Sequence, residues 1–247
     1  MGAATPPAQK GAIKPAAETP ATTTPAAPRP APARREDLPA AFNQAAPRSI
    51  ADLRAMERQV KSIVARVSGA VVAVEVGFGS GSGVIISSNG YVLTAGHVCG
   101  RPNREVQFTF PDGKKARGKT VGVDLESDTG LMRITDTGPW PCVPVGDFEQ
   151  VRLGDWMLAL GHPGGFDLKR SLVVRLGRVV RLAPEIVQTD CTISPGDSGG
   201  PLFDMHGRVV GIHSAISTSL ADNFHVPITE FLAAWEQLAN GTEDKTP

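Results

Sequence analysis

One seven-residue run, Gly196-Asp197-Ser198-Gly199-Gly200-Pro201-Leu202, constrains this chain more than any other. A serine hydroxyl is a poor nucleophile unless a base takes its proton and donors stabilise the oxyanion that forms. Glycine at 196 lets the backbone turn sharply and aim two N–H groups at one point beside Ser198. Gly199 and Gly200 let the following strand pass close behind it. The bland alternative is a glycine-rich β-turn that happens to contain serine. The length of the run argues against it, and so does what stands upstream. Thr94-Ala95-Gly96-His97-Val98 follows the strand-like run Gly90-Tyr91-Val92-Leu93. Acids from Asp124 to Asp128 then precede the alternating apolar run Leu131 to Ile134. Base, carboxylate and serine therefore stand in the order His, Asp, Ser.

These motifs resemble those of the chymotrypsin-fold serine proteases. The resemblance implies an all-β fold of two antiparallel β-barrels, with a short N-terminal helix and a C-terminal helix. It narrows further. The segments 67–74 (VSGAVVAV), 79–86 (GSGSGVII), 89–98 (NGYVLTAGHV), 124–128 (DLESD), 145–166 and 188–202 are all similar to the HtrA/Deg serine proteases. The likeness runs from about residue 60 to 238, the extent of a protease domain. Three departures stand out. Asp197 occupies a place usually held by Asn, Gly161-His162-Pro163 stands where Gly-Asn-Pro is usual, and the sequence given stops where the family's C-terminal PDZ domain would follow, so either a protease-only relative or a trimmed chain is expected.

In that family His97 would take the Ser198 proton and later protonate the leaving amine. Asp128 would orient His97, with Asp124 as the competing carboxylate. The N–H groups of Gly196 and Ser198 would form the oxyanion hole. Thr192, six residues before the nucleophile, would lie at the base of the P1 pocket. The strand through Ile212, His213 and Ser214 would pair with substrate, Ile212 walling an apolar pocket. The implied activity is cleavage of unfolded or misfolded polypeptides after a small or medium aliphatic residue, with no metal or cofactor. A protein-binding scaffold with an idle triad is the alternative. In trypsin-like zymogens the aspartate before the nucleophile pairs with a newly made N-terminal amine. No Arg-Ile-Val-Gly-Gly element stands here, so Asp197 is expected to be held by backbone N–H groups or by a side chain between His162 and Arg175.

Composition bounds the rest. The 247 residues carry 25 Lys+Arg against 25 Asp+Glu, so no electrostatic case exists for nucleic acid or an anionic membrane surface. No apolar run reaches the length of a membrane-spanning helix, and Met1 to Pro6 has no apolar signal-peptide core. An extracytoplasmic location is implied by the resemblance alone. Cys99, Cys142 and Cys191 leave at least one thiol unpaired and are spaced unlike a metal site; they read as small buried residues.

Along the chain, residues 1–48 are rich in Ala, Pro and Thr and read as a disordered tether, with a proline-rich ligand as the alternative. The resemblance implies a protease domain over residues 49–240. Ser49 and Asp52 predict a helix start, and Leu53, Met56, Val60, Ile63 and Val64 make an apolar stripe over 49–66. That stripe serves to pack on the barrels or, as the resemblance suggests, to form a homotrimer. Barrels are expected over about 67–227, a closing helix over about 228–238 and a tail over 241–247.

Overall fold

The computed structural model describes residues 38–170, 172–216 and 222–241. Its strands are rich in Val and Ile, which suit a pleated surface buried against neighbours. β1 (Val71–Val76), β2 (Gly79–Ile85), β3 (Tyr91–Ala95), β4 (Glu105–Thr109), β5 (Lys115–Asp124) and β6 (Thr129–Ile134) close into one antiparallel barrel, in the order β1-β2-β3-β6-β5-β4. β7 (Trp156–Gly161), β8 (Val173–Ala183), β9 (Ile186–Thr189), β10 (Pro201–Asp204), β11 (Val209–Ile216) and β12 (Asn223–Pro227) close a second, in the order β10-β11-β12-β9-β8-β7. Closure leaves each sheet without a free edge along most of its length. The fold is the two-barrel one expected from the sequence.

Helices tie the barrels together crosswise. α1 (Ile50–Val67) begins with Ser49 Oγ accepting from Asp52 N–H, while the Asp52 carboxylate accepts from Arg48 N–H. Met56, Ile63 and Val67 are buried, whereas Leu53 stays 55% exposed, so the packed stripe lies one turn further along than the sequence suggests. Gln59 Nε2 and Arg66 Nη2 donate to the carbonyls of Met205 and His206, fixing α1 on the turn between β10 and β11. At the other end the single closing helix is instead two, α3 (Ile228–Ala233) and α4 (Trp235–Ala239), separated at Ala234. Trp235 meets the edge of Tyr91, and the α4 backbone sits so close over Gly122 that a Cβ there would lie 2.1 Å from the Leu238 carbonyl. A one-turn helix, α2 (Gly96–Cys99), follows β3.

Most of the expected tether lies outside the described residues. Its described end does not behave as one, because Ala41 and Phe42 are buried in a short helical turn (Ala40–Asn43). Arg178, stacked over Trp156, donates to the Gln44 carbonyl and holds this segment on the second barrel. Of the cysteines, Cys99 and Cys191 are buried and Cys142 is exposed; all are free.

Candidate active site

The two barrels meet along a seam that runs through Ser82. Its N–H donates to the Ser198 carbonyl at 2.8 Å, its hydroxyl to the Gly196 carbonyl at 2.8 Å, and its carbonyl accepts from Thr94 Oγ1 at 2.9 Å. Gly199 lies in this seam at φ +86°, and a Cβ there would meet Ser82 O and Thr94 Oγ1 at 2.2 Å. A Cβ on Gly81 would likewise lie 2.9 Å from the Ser198 carbonyl. The glycine-serine cluster of β2 is thus the surface on which the nucleophile loop rests.

His97 projects from α2, and the turn between β5 and β6 carries Asp128 to it. Asp124 Oδ1 shapes that turn by accepting from Glu126 N–H at 2.9 Å, and Asp128 sits in the left-handed region at φ 53°. Asp128 Oδ1 then lies 2.9 Å from His97 Nδ1 and 2.9 Å from the His97 N–H. Of the two candidate carboxylates, Asp128 touches the histidine and Asp124 builds the turn. The bond to Asp128 raises the His97 pKa above its ordinary 6.5, against a smaller opposing effect of burial. Burial pushes Asp128 up, but the bonds from His97 and Ser214 together outweigh it and leave its carboxyl below 3.8. Ser214 Oγ donates to Asp128 Oδ2 at 2.5 Å, so Ser214 contacts the carboxylate as well as lining the cleft.

Ser198 lines the same cleft of about 520 Å³ as His97. Its hydroxyl donates to the Ser214 carbonyl at 3.3 Å, and among the described residues it makes no hydrogen bond to His97.

Backbone geometry beside Ser198 follows from one anchored peptide. Gly164 N–H donates to the Pro195 carbonyl at 2.7 Å. In a trans peptide the C=O and the next N–H point opposite ways, so the Gly196 N–H is turned away from that loop. Gly196 needs φ +96° for this, and a Cβ there would strike Gly164 N at 2.5 Å. Among the described residues neither Gly196 N–H nor Ser198 N–H has a protein acceptor. Two free donors flank the hydroxyl, the arrangement an oxyanion requires.

Three expected pocket residues lie elsewhere. Ile193, Ser194 and Pro195 line one side of the cleft and Ser214, Ala215 and Ile216 the other. Thr192 is exposed and does not line it, because the loop points the next side chain, buried Ile193, toward the site. Ile212 is fully buried in the core shared with Leu160 and Phe203 rather than walling a pocket. The His213 side chain turns inward, one residue out of phase with Ser214, and pairs with His225. The His213 backbone is also occupied, accepting from Gly199 N–H at 2.7 Å and donating to the Gly200 carbonyl at 2.8 Å. His162 is buried behind Phe166, its N–H on Ser82 Oγ, and makes no hydrogen bond to Asp197. No group of metal-binding side chains occurs among the described residues.

Known proteins align with this geometry. The family described as "Trypsin-like peptidase domain" matches residues 81–212. Over 166 residues the chain is 40% identical to a Pseudomonas putida protein named "Probable periplasmic serine endoprotease DegP-like", covering 64% of this chain and 34% of that one. A protein of the same name from Halomonas elongata is 33% identical, covering 65% and 35%. The chain therefore spans about a third of the length of these relatives. Among solved structures, the HtrA-type protease AlgW with tripeptide superposes with a TM-score of 0.62 at 30% identity, covering 70% of this chain and 61% of that one. The serine endoprotease from Yersinia pestis gives 0.64 at 28% identity, covering 72% and 66%.

Proposed function

Since this chain belongs to the trypsin-like peptidase family, we propose that it is a serine endopeptidase of the HtrA/Deg type, with Ser198, His97 and Asp128 as its triad. The observation that carries the reading is the carboxylate–imidazole pair, Asp128 to His97 at 2.9 Å, opening on the same cleft as a serine flanked by free N–H donors. His97 Nε2 takes the Ser198 proton as Oγ attacks the scissile carbonyl carbon. The carbonyl electron pair moves to oxygen, where the N–H groups of Gly196 and Ser198 receive it. Collapse breaks the C–N bond and the amine leaves with the proton from His97. Water repeats the sequence on the acyl-enzyme. Asp128 keeps the Nδ1 proton in place throughout.

Substrate binding follows from the sheet. β10 pairs with β11 only as far as Pro201 opposite Ile212, so the β11 edge from Ser214 to Ile216 is open on that side. An extended polypeptide adds there as a strand. Its P1 side chain meets Ile193, Ala215 and Ile216, and among the described residues the titratable side chains lining the cleft are His97 and Asp128. A buried Lys or Arg at P1 would lack a dedicated carboxylate, which favours a small or medium aliphatic P1. The need for an extended chain fits unfolded or misfolded substrates. Relatives named periplasmic suggest an extracytoplasmic setting.

A binding scaffold with an idle triad draws on one observation, the Ser198 hydroxyl bonded to Ser214 instead of His97. A fluorophosphonate probe separates the readings, because rapid reaction needs both an activated serine and a formed oxyanion hole. Labelling of the chain that disappears in Ser198→Ala supports the protease. Absence of labelling in the unmodified chain overturns it.

A further inference from the structure

Among the described residues Asp197 is the one carboxylate completely sealed from solvent, and it lies in the nucleophile loop. A charge so placed needs a cation and several donors, or folding would favour its neutral form. Both are supplied. Arg175 Nη2 lies 2.8 Å from Asp197 Oδ2 and Nη1 lies 3.1 Å from Oδ1, a two-pronged pair. Ser194 N–H adds a third bond to Oδ2 at 2.8 Å. Room for the carboxylate comes from Gly161, where a Cβ would strike Asp197 Oδ1 at 2.3 Å.

We propose that Arg175 is a positioning residue for the oxyanion hole: through Asp197 it holds the Pro195–Gly196–Asp197 turn in the form that presents the Gly196 N–H to substrate. The inference rests on the serine protease reading above. Arg175 is the third residue of β8, paired opposite Ala159 of β7, so its guanidinium is delivered from the barrel wall. It reaches Asp197 immediately before the nucleophile, on the far side of the turn from the cleft. The turn is thereby held by its surroundings at three points, the Pro195 carbonyl on Gly164 N–H, the Gly196 carbonyl on Ser82 Oγ and the Asp197 carboxylate on Arg175. Arg175 fills the place that a newly cleaved N-terminal amine takes in trypsin-like zymogens. Because this cation is part of the barrel, the full chain is competent without cleavage.

The experiment measures fluorophosphonate labelling and peptide-substrate kinetics of full-length chain, its intact mass confirmed. Labelling of the unmodified chain establishes the protease reading first, so its failure would be seen separately. In folded Arg175→Ala, labelling rate and kcat are expected to fall about 100- to 1,000-fold, the effect of losing one oxyanion donor. KM should change less than threefold, because the Ser214–Ile216 edge is untouched. Arg175→Lys should recover at least about tenfold of the loss, since it restores a cation without the fork. Folded Arg175→Ala with near-normal labelling, or Arg175→Lys no better than Arg175→Ala, overturns the proposal. Should Arg175→Ala fail to fold, the charge-balanced double variant Arg175→Met with Asp197→Asn decides. At least tenfold slower labelling in that folded protein supports the positioning role, and a rate like that of the unmodified chain overturns it.

Discussion

Two histidine pairs lie on either side of Ser214, with nearly the same separation and opposite behaviour. His97 Nδ1 is 2.9 Å from Asp128, and His213 Nδ1 is 2.9 Å from His225 Nδ1. The first ring is half-exposed and its pKa is raised by the hydrogen bond to a carboxylate. The second pair is fully buried; burial drives His213 well below 6.5 and His225 to about 3. The partners of the buried pair allow one proton arrangement. The Leu160 carbonyl, 3.2 Å from His213 Nε2, can only accept, so that nitrogen carries the hydrogen. His213 Nδ1 must then accept from His225 Nδ1–H, and His225 Nε2 accepts from the Thr189 hydroxyl at 2.8 Å. A second proton on either ring would set two N–H groups against each other. The lesson is that a carboxylate and water make one imidazole a proton carrier, while burial among neutral partners makes the other a fixed strut behind the Gly199–Gly200 turn.

The largest test of that contrast is Asp128→Asn. Removing the carboxylate should lower kcat about ten-thousandfold, by analogy with other triads, while the melting temperature stays near that of the unmodified protein. Peptide hydrolysis and thermal unfolding of the same sample check it. Activity within tenfold of normal would break the assignment of the exposed pair. His225→Leu probes the other side. It leaves His213 Nδ1 unpaired in the core, at about 1–3 kcal/mol for a buried group left unpaired, and removes the acceptor of the Thr189 hydroxyl, whose oxygen keeps the Cys191 N–H. Urea unfolding should show that loss, with activity per folded molecule within a few-fold of normal. Unchanged stability would mean the buried pair is not a strut.

Much of the exposed pair was legible in the sequence, and almost nothing of the buried one. His97, Asp128 and Ser198 sit in motifs whose local chemistry is written by their neighbours: a short helix after β3, an acid-rich turn, a glycine-lined loop. Pairing of His213 with His225 depends instead on the register of β11 against β12 and on which face each strand buries. A one-residue change of phase also explains why Ile193 rather than Thr192 reaches the cleft, because counting along a loop gives no side-chain direction. Phe42 was hidden by composition, a single aromatic among prolines and alanines whose burial only tertiary contacts reveal. The two barrels were legible through the resemblance their motifs carry, not through periodicity, since strands such as β1, β3 and β7 are near-continuous buried runs. Arg175 was legible only as the end of a range, since nothing in its strand pattern announces a buried carboxylate across the sheet.

A smaller effect separates the pairs by pH. Between the ordinary histidine value of 6.5 and about 3, an unfolded His225 binds a proton that the folded one refuses. The unfolded state therefore gains as pH falls through that window, and stability falls with it. His213 shifts in the same direction and adds to the slope. Urea unfolding between pH 6.5 and 4 should show this dependence, reduced by the His225→Leu change. Equal slopes in both proteins would remove the buried pair as its cause.

The exposed pair has the opposite sign and the smallest expected effect. His97 has its folded pKa raised, so the stabilisation it contributes is complete below 6.5 and is lost as pH rises through the folded value. Half-exposure to solvent keeps that stabilisation small. Catalysis runs the other way, because only neutral His97 can accept the Ser198 proton. The acid limb of kcat/KM should therefore lie above 6.5, with activity rising as pH passes through it. In Asp128→Asn the main cause of that rise, the hydrogen bond to the Asp128 carboxylate, is gone, and burial alone remains to act on the ring. Its titration, followed by NMR of the imidazole protons, should move from above 6.5 to below it. A ring that titrates at the same pH in both proteins would show that Asp128 does not govern His97, and with it would go the distinction between the two pairs.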